Sequence, residues 1–162
     1  MEQLKKKPIP PDFNLPENER DRQARQMSDL TFELVKEYTG MELDFAEKND
    51  LTPAEFKLLC FFRNAEAVSV KDLVIQMKLT PGRITHIITS LEVKKMITRS
   101  INPDDRRGIN VFLTGKSMPL IKEFNDRCVD IHSCVLEQME NDEADGVLCF
   151  MSDLIEKMRE RN

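Results

Sequence analysis

The 162-residue chain has only two histidines, His86 and His132, and four cysteines, Cys60, Cys128, Cys134 and Cys149. It contains no HExxH, GxSxG or GxGxxG run and no group of residues at metal-ligand spacing, so neither catalysis nor a metal or cofactor is expected. The cysteines never form a CxxC pair, and each falls at or near an apolar position of a helical pattern. That suits reduced thiols in a cytoplasmic protein rather than a disulfide framework. No apolar run approaches the roughly 18 residues of a membrane-spanning helix and no secretory leader is recognisable, so no membrane partner is expected. A net charge of -5, with 33% charged and 40% hydrophobic residues, describes an ordinary soluble protein of one domain's length, with helical extensions.

What is present begins with a basic, proline-rich arm over residues 1–16, holding Lys5, Lys6, Lys7 and four prolines. From 17 to about 39 a charged segment carries Met27, Leu30, Leu34 and Tyr38 at spacings of three and four, a one-sided stripe that needs another surface to cover it. Gly40 is expected to weaken this helix, with 41–50 forming a second short piece. At Thr52-Pro53-Ala54-Glu55 a capping box with proline at the first helical position opens a helix that buries Phe56, Leu59 and Phe62 and runs to about Asn64.

A second box, Ser69-Val70-Lys71-Asp72, opens a short helix that ends near Lys78. Thr80-Pro81 then opens a third that runs through about Lys95. Two helices joined by so short a turn form a helix-turn-helix signature. At 100° per residue, Ile84, Ile87, Ile88 and Leu91 of the third helix make one buried stripe. The other side offers Arg83, Thr85, His86, Thr89 and Ser90 and no carboxylate, which suits entry into a DNA major groove, where base edges present acceptors. Between Ser69 and Arg107 eight basic residues face four acidic ones. Positive charge is thus gathered around these helices while the rest of the chain is acidic, an arrangement built to touch a polyanion on one side. Ser69, Lys71, Thr80, Lys94, Lys95 and Arg99 are the candidate phosphate contacts. Two β-branched stretches, 96–101 and 109–113, read as a hairpin whose tip carries Asp104, Asp105, Arg106 and Arg107.

Leu51-Thr52 opening one helix, the helix pair 69–95, Asp105-x-Arg107 in a hairpin, and Leu113-Thr114 before a long helix together resemble the MarR family of bacterial winged helix-turn-helix transcriptional regulators. The resemblance implies a mainly α fold with a small β-hairpin wing. A winged helix-turn-helix domain would occupy 51–114, with dimerisation helices at 17–50 and 115–162. It further implies a homodimer on pseudo-palindromic double-stranded operator DNA, with recognition helices in successive major grooves. Arg107 would probe the adjacent minor groove, Asp105 would orient it, and Arg106 would meet a phosphate. Two positions depart from the family pattern. Met96 stands where a glycine commonly ends the recognition helix, and Gly115 follows Thr114 directly.

The last third carries Leu120, Ile121, Phe124, Cys128, Ile131, Val135 and Met139 on one helix and Val147, Leu148, Met151, Leu154, Ile155 and Met158 on another. These stripes either cover each other within one chain or, with Met27, Leu30 and Leu34, meet a second subunit. The resemblance favours the dimer. It also implies a repressor relieved by a small aromatic effector, for which Tyr38, Phe45, Phe56 and Phe61 are the candidate crevice. Oxidant-sensing relatives carry a cysteine near the start of the first long helix, and this chain has none before Cys60, so its thiols are expected to be bystanders. The alternative function is a winged-helix module that binds protein and reads no DNA.

Overall fold

A computed structural model describes residues 18–101 and 108–161. The arm over 1–16 and the hairpin tip with Asp105, Arg106 and Arg107 lie outside the described residues. Six helices and three strands follow in the order α1 (Glu19–Lys48), α2 (Pro53–Cys60), β1 (Ala67–Ser69), α3 (Val70–Met77), α4 (Pro81–Val93), β2 (Ile97–Ile101), β3 (Ile109–Leu113), α5 (Met118–Leu136) and α6 (Asn141–Glu160), with a 3-10 turn at Phe61–Asn64 after α2.

The first helix corrects an expectation. Instead of breaking at Gly40, α1 runs unbroken for 30 residues, about 45 Å at 1.5 Å per residue. A mid-helix glycine costs roughly 0.5–1 kcal/mol. Beyond it Phe45 and Ala46 are buried in the core, and their burial outweighs that cost. Three helices then start on the hydroxyl caps expected: Thr52 accepts from the Glu55 N–H, Ser69 from the Asp72 N–H and Thr80 from the Arg83 N–H.

Three helix ends are closed without glycine. Asp50, Lys78 and Lys95 take left-handed φ values of 54°, 53° and 60°. The amides that follow fold back, Leu51 N–H to the Ala46 carbonyl (2.9 Å), Leu79 N–H to Val74 (3.4 Å) and Met96 N–H to Leu91 (2.9 Å). This is the bonding of a Schellman end. At the end of α4 the left-handed residue is thus Lys95, one position before the Met96 that the family pattern indicated, and it does what a glycine does elsewhere, at some steric cost.

The wing is a three-stranded antiparallel sheet in the order β1-β3-β2. Ile97 pairs with Leu113 and Ile101 with Ile109, as the hairpin pattern anticipates. The third strand, which pairs Val68 with Val111, is only three residues long and merges into the cap of α3. In the core Phe45, Phe56 and Phe124 meet with ring centroids 4.9–5.4 Å apart, joining α1, α2 and α5. The α4 stripe Ile84, Ile87, Ile88 and Leu91 lies buried beside them. Outside this core the terminal helices are bare. Met27, Leu30 and Leu34 on α1, Ile131 and Val135 on α5, and Val147, Leu148, Met151 and Ile155 on α6 are all exposed, and α6 buries no residue. The stripes of α5 and α6 do not cover one another. Among the described residues no helix is long and apolar enough to cross a membrane.

Candidate nucleic-acid interface

The exposed side of α4 holds Arg83, Thr85, His86 and Thr89, with Gly82 in the first turn and no acidic residue there. Pro81 and the Thr80 cap, whose hydroxyl oxygen accepts from the Arg83 N–H (3.4 Å), set the start of the helix. No hydrogen bond or ion pair to other described residues holds the side chains of Arg83 and His86, whereas the Thr85 hydroxyl donates to the Pro81 carbonyl (2.9 Å). Thr85 can then act toward a base only as an acceptor, or by giving up that bond. Lys71 and Lys95 are exposed.

Four sequence-derived candidates are otherwise engaged. Ser90 is half-buried and its hydroxyl donates to the Glu55 carboxylate (2.5 Å), so it is not a base contact in this arrangement. Lys94 donates to Glu55 (2.9 Å) and to the Asp50 carbonyl (2.6 Å), which points its ammonium into the fold rather than toward phosphate. Arg99 forms a two-pronged ion pair with Glu92, one arm at 2.9 Å. Ser69 both accepts from the Asp72 N–H and donates to the Asp72 carboxylate (2.7 Å). Glu55 itself was visible in sequence only as a capping-box residue. Its partners 35 and 39 positions later leave no local signal. Burial alone would raise its pKa, but the hydrogen bonds from Ser90, the Thr52 amide and Lys94, with the Lys94 charge, reverse this and hold it at about 2.

The expected effector crevice is also corrected. Phe45 and Phe56 are core residues closed in by Phe124, and the Tyr38 hydroxyl lies 2.7 Å from His132 Nε2, tying α1 to α5. A cavity of about 700 Å³ opens elsewhere, between the 3-10 turn, β3 and the start of α5, lined by Phe62, Arg63, Phe112, Met118 and Ile121 among others. Of the thiols, Cys60 is pushed up to about 12, chiefly by burial and next by the Glu42 carboxylate, and Cys128 is raised by burial. Cys134 and Cys149, expected near apolar packing, are exposed. Cys134 lies beyond Cys128, the last buried residue of α5, and Cys149 is on α6, which buries no residue.

A capped helix pair, a second helix with an exposed cationic side, and a three-stranded wing behind it define a winged helix-turn-helix protein. The MarR family model matches residues 51–109, the stretch from the residue before the cap of α2 to the first residue of β3. The chain belongs to the MarR family, a family of regulators and not of enzymes. It is 25% identical over 112 residues to the HTH-type transcriptional regulator SarZ of Staphylococcus haemolyticus, covering 67% of this chain and 74% of that protein. Over 95 residues it is 30% identical to the multiple antibiotic resistance protein MarR of Salmonella typhimurium, covering 58% of this chain and 66% of that one. Among solved structures, a MepR–DNA complex from S. aureus shares the fold with a TM-score of 0.61 at 18% identity, over 82% of this chain and 97% of that chain.

Proposed function

We propose that this protein is a homodimeric, sequence-specific double-stranded DNA-binding transcriptional regulator of the cytoplasm, a repressor whose hold on DNA is relieved by a small aromatic effector. The observation that carries this is the acid-free N-terminal half of α4, where Arg83, Thr85, His86 and Thr89 stand exposed on one side of a helix cushioned from behind by Ile84, Ile87, Ile88 and Leu91. Arg83 recognises acceptor-bearing base edges in the major groove, and His86 and Thr89 add shorter contacts. Lys71, Thr80 and Lys95 meet phosphates and set register without reading sequence. Arg107, beyond the described residues, enters the minor groove from the wing with Asp105 orienting it, and Arg106 takes a phosphate.

Dimerisation rests on the bare stripes of α1, α5 and α6. Three helices expose Leu30, Leu34, Val135, Leu148 and Ile155, apolar side chains at helical spacing that ordinarily find cover. A second copy covers them and places two recognition helices for a two-fold site. The largely apolar cavity beside Phe62 and Met118, with Arg63 at its edge, suits a small aromatic effector better than the filled Phe45–Phe56 region. Selection of bound duplexes from random DNA tests the proposal. An enriched inverted repeat with half-sites about 10 base pairs apart, centre to centre, is the expected outcome. No enrichment of any sequence would leave the protein-binding module as the better account.

A further inference from the structure

Glu55 is 3% exposed and, with Ser117, one of two buried polar residues in the described structure. A capping box needs only one carboxylate oxygen at the helix start, and such glutamates ordinarily stay in water. Burying the whole group costs far more than a cap returns, so the cap alone does not account for its place. Its contacts do. Oε2 accepts from the Thr52 N–H (2.7 Å) and from Lys94 Nζ (2.9 Å), while Oε1 accepts from the Ser90 hydroxyl (2.5 Å). Lys94 adds a bond to the Asp50 carbonyl (2.6 Å). One carboxylate thereby ties the turn between α1 and α2 to the last turn of α4, at Ser90, and to Lys94, the residue that ends that helix.

We propose that Glu55 is a positioning residue for sequence discrimination: by pinning Ser90 and Lys94 to the Asp50–Thr52 turn, it sets the angle at which α4 presents Arg83 and His86. This rests on the DNA-binding function proposed above. The apolar stripe under α4 holds the helix against the core but is tolerant of small tilts, because apolar contact is non-directional. Hydrogen bonds are not so tolerant. The end of α4 is also held by the Lys116 ammonium on the Lys94 carbonyl (3.0 Å) and the Thr114 hydroxyl on the Lys95 carbonyl (2.8 Å). The hydrogen bonds that fix α4 in direction are thus gathered at its C-terminal end, and a change of angle there is carried along the helix to Arg83 and His86. Arg83 lies seven residues, about 10 Å of rise, from Ser90, so a tilt of about 10° there displaces Arg83 by about 2 Å. That is enough to break a two-pronged contact with a base. The clamp also explains why a lysine beside a nucleic-acid interface faces inward. Lys94 serves here as the counter-charge of Glu55.

The experiment titrates wild type, Glu55→Gln and Lys94→Met against the selected duplex and a scrambled one over a range of salt concentrations. Glu55→Gln keeps the side-chain shape but releases the Lys94 ammonium. Its matched-to-scrambled affinity ratio should fall roughly tenfold, and its salt dependence should steepen by about one unit per half-site as Lys94 turns to phosphate. Lys94→Met should lose affinity on the matched duplex only, with the wild-type salt slope. A phosphate-binding Lys94 would instead lose affinity equally on both duplexes with a shallower slope, and that result overturns the proposal. So does an unchanged ratio in both variants at lowered thermal stability, the pattern of a purely structural pair. If Glu55→Gln does not fold, Lys94→Met decides alone. A wild type with no preferred duplex overturns the DNA-binding function together with this inference, whereas a wild type that discriminates beside variants that discriminate equally well overturns the inference only.

Discussion

Lowering the pH should unload the buried carboxylate of Glu55, and the resulting loss of stability is calculable. In the folded chain its hydrogen bonds and the Lys94 charge, acting against burial, bring its pKa from an ordinary 4.5 to about 2. The folded state therefore prefers the ionised form more strongly than the unfolded chain does. For a depressed carboxylate the contribution to stability is fully present above the unfolded value, near 4.5, and drains away as the pH falls toward 2. A shift of this size corresponds to about 3 kcal/mol at 1.36 kcal/mol per unit. Denaturant unfolding of wild type and Glu55→Gln, at fixed protein concentration and at pH 7, 5, 4 and 3, isolates this contribution, since all other groups titrate in both proteins. Wild type should be the more stable by a few kcal/mol at pH 7, with the gap narrowing steadily below pH 4.5. A gap that stays constant from pH 7 to pH 3 would show that Glu55 is not held in its charged form by Ser90, Thr52 and Lys94.

Replacing Leu148 and Met151 by aspartate should convert a dimer into monomer in sedimentation, because an unpaired charge in a buried interface costs on the order of 3–5 kcal/mol; a wild type that sediments as monomer at micromolar concentration refutes the interface. Mild peroxide should leave Cys60 and Cys128 unmodified by mass analysis, since burial raises both thiols away from the reactive thiolate, and rapid oxidation of either with release from DNA would make the protein a redox sensor. Lys95→Gly should stabilise the fold by up to about 1 kcal/mol by relieving a left-handed backbone; a lower midpoint of thermal unfolding contradicts the steric cost assigned to its φ of 60°.

What was legible in the sequence was whatever is encoded within a few residues. The three hydroxyl caps, the prolines at first helical positions and the Ile84–Ile87–Ile88–Leu91 stripe act locally, and the structure places them as the pattern indicates. The β2–β3 register follows from β-branched runs of matched length. Gly40 misled because helix propensity is a weak term against the burial of Phe45 and Ala46 farther along. The strand β1 is too short to show a period. Ser90 reads as a base contact because its side of α4 is polar and Lys94 as a phosphate contact because it is a cation beside that helix, and only the fold brings a carboxylate from α2 against them. The same limit applies to Phe45 and Phe56, whose aromatic rings fit a crevice or a core equally well until Phe124 of α5 is seen to close on both.

The central claim is that α4 reads DNA sequence, and the affinity of wild type and Arg83→Ala for the selected and scrambled duplexes at physiological salt tests it most directly. The account predicts that wild type binds the selected duplex at least about 10³-fold more tightly than the scrambled one, and that Arg83→Ala loses roughly 1–3 kcal/mol per half-site on the selected duplex while the scrambled affinity changes little. Equal affinity of wild type for the two duplexes, or an Arg83→Ala variant that discriminates as well as wild type, would contradict it.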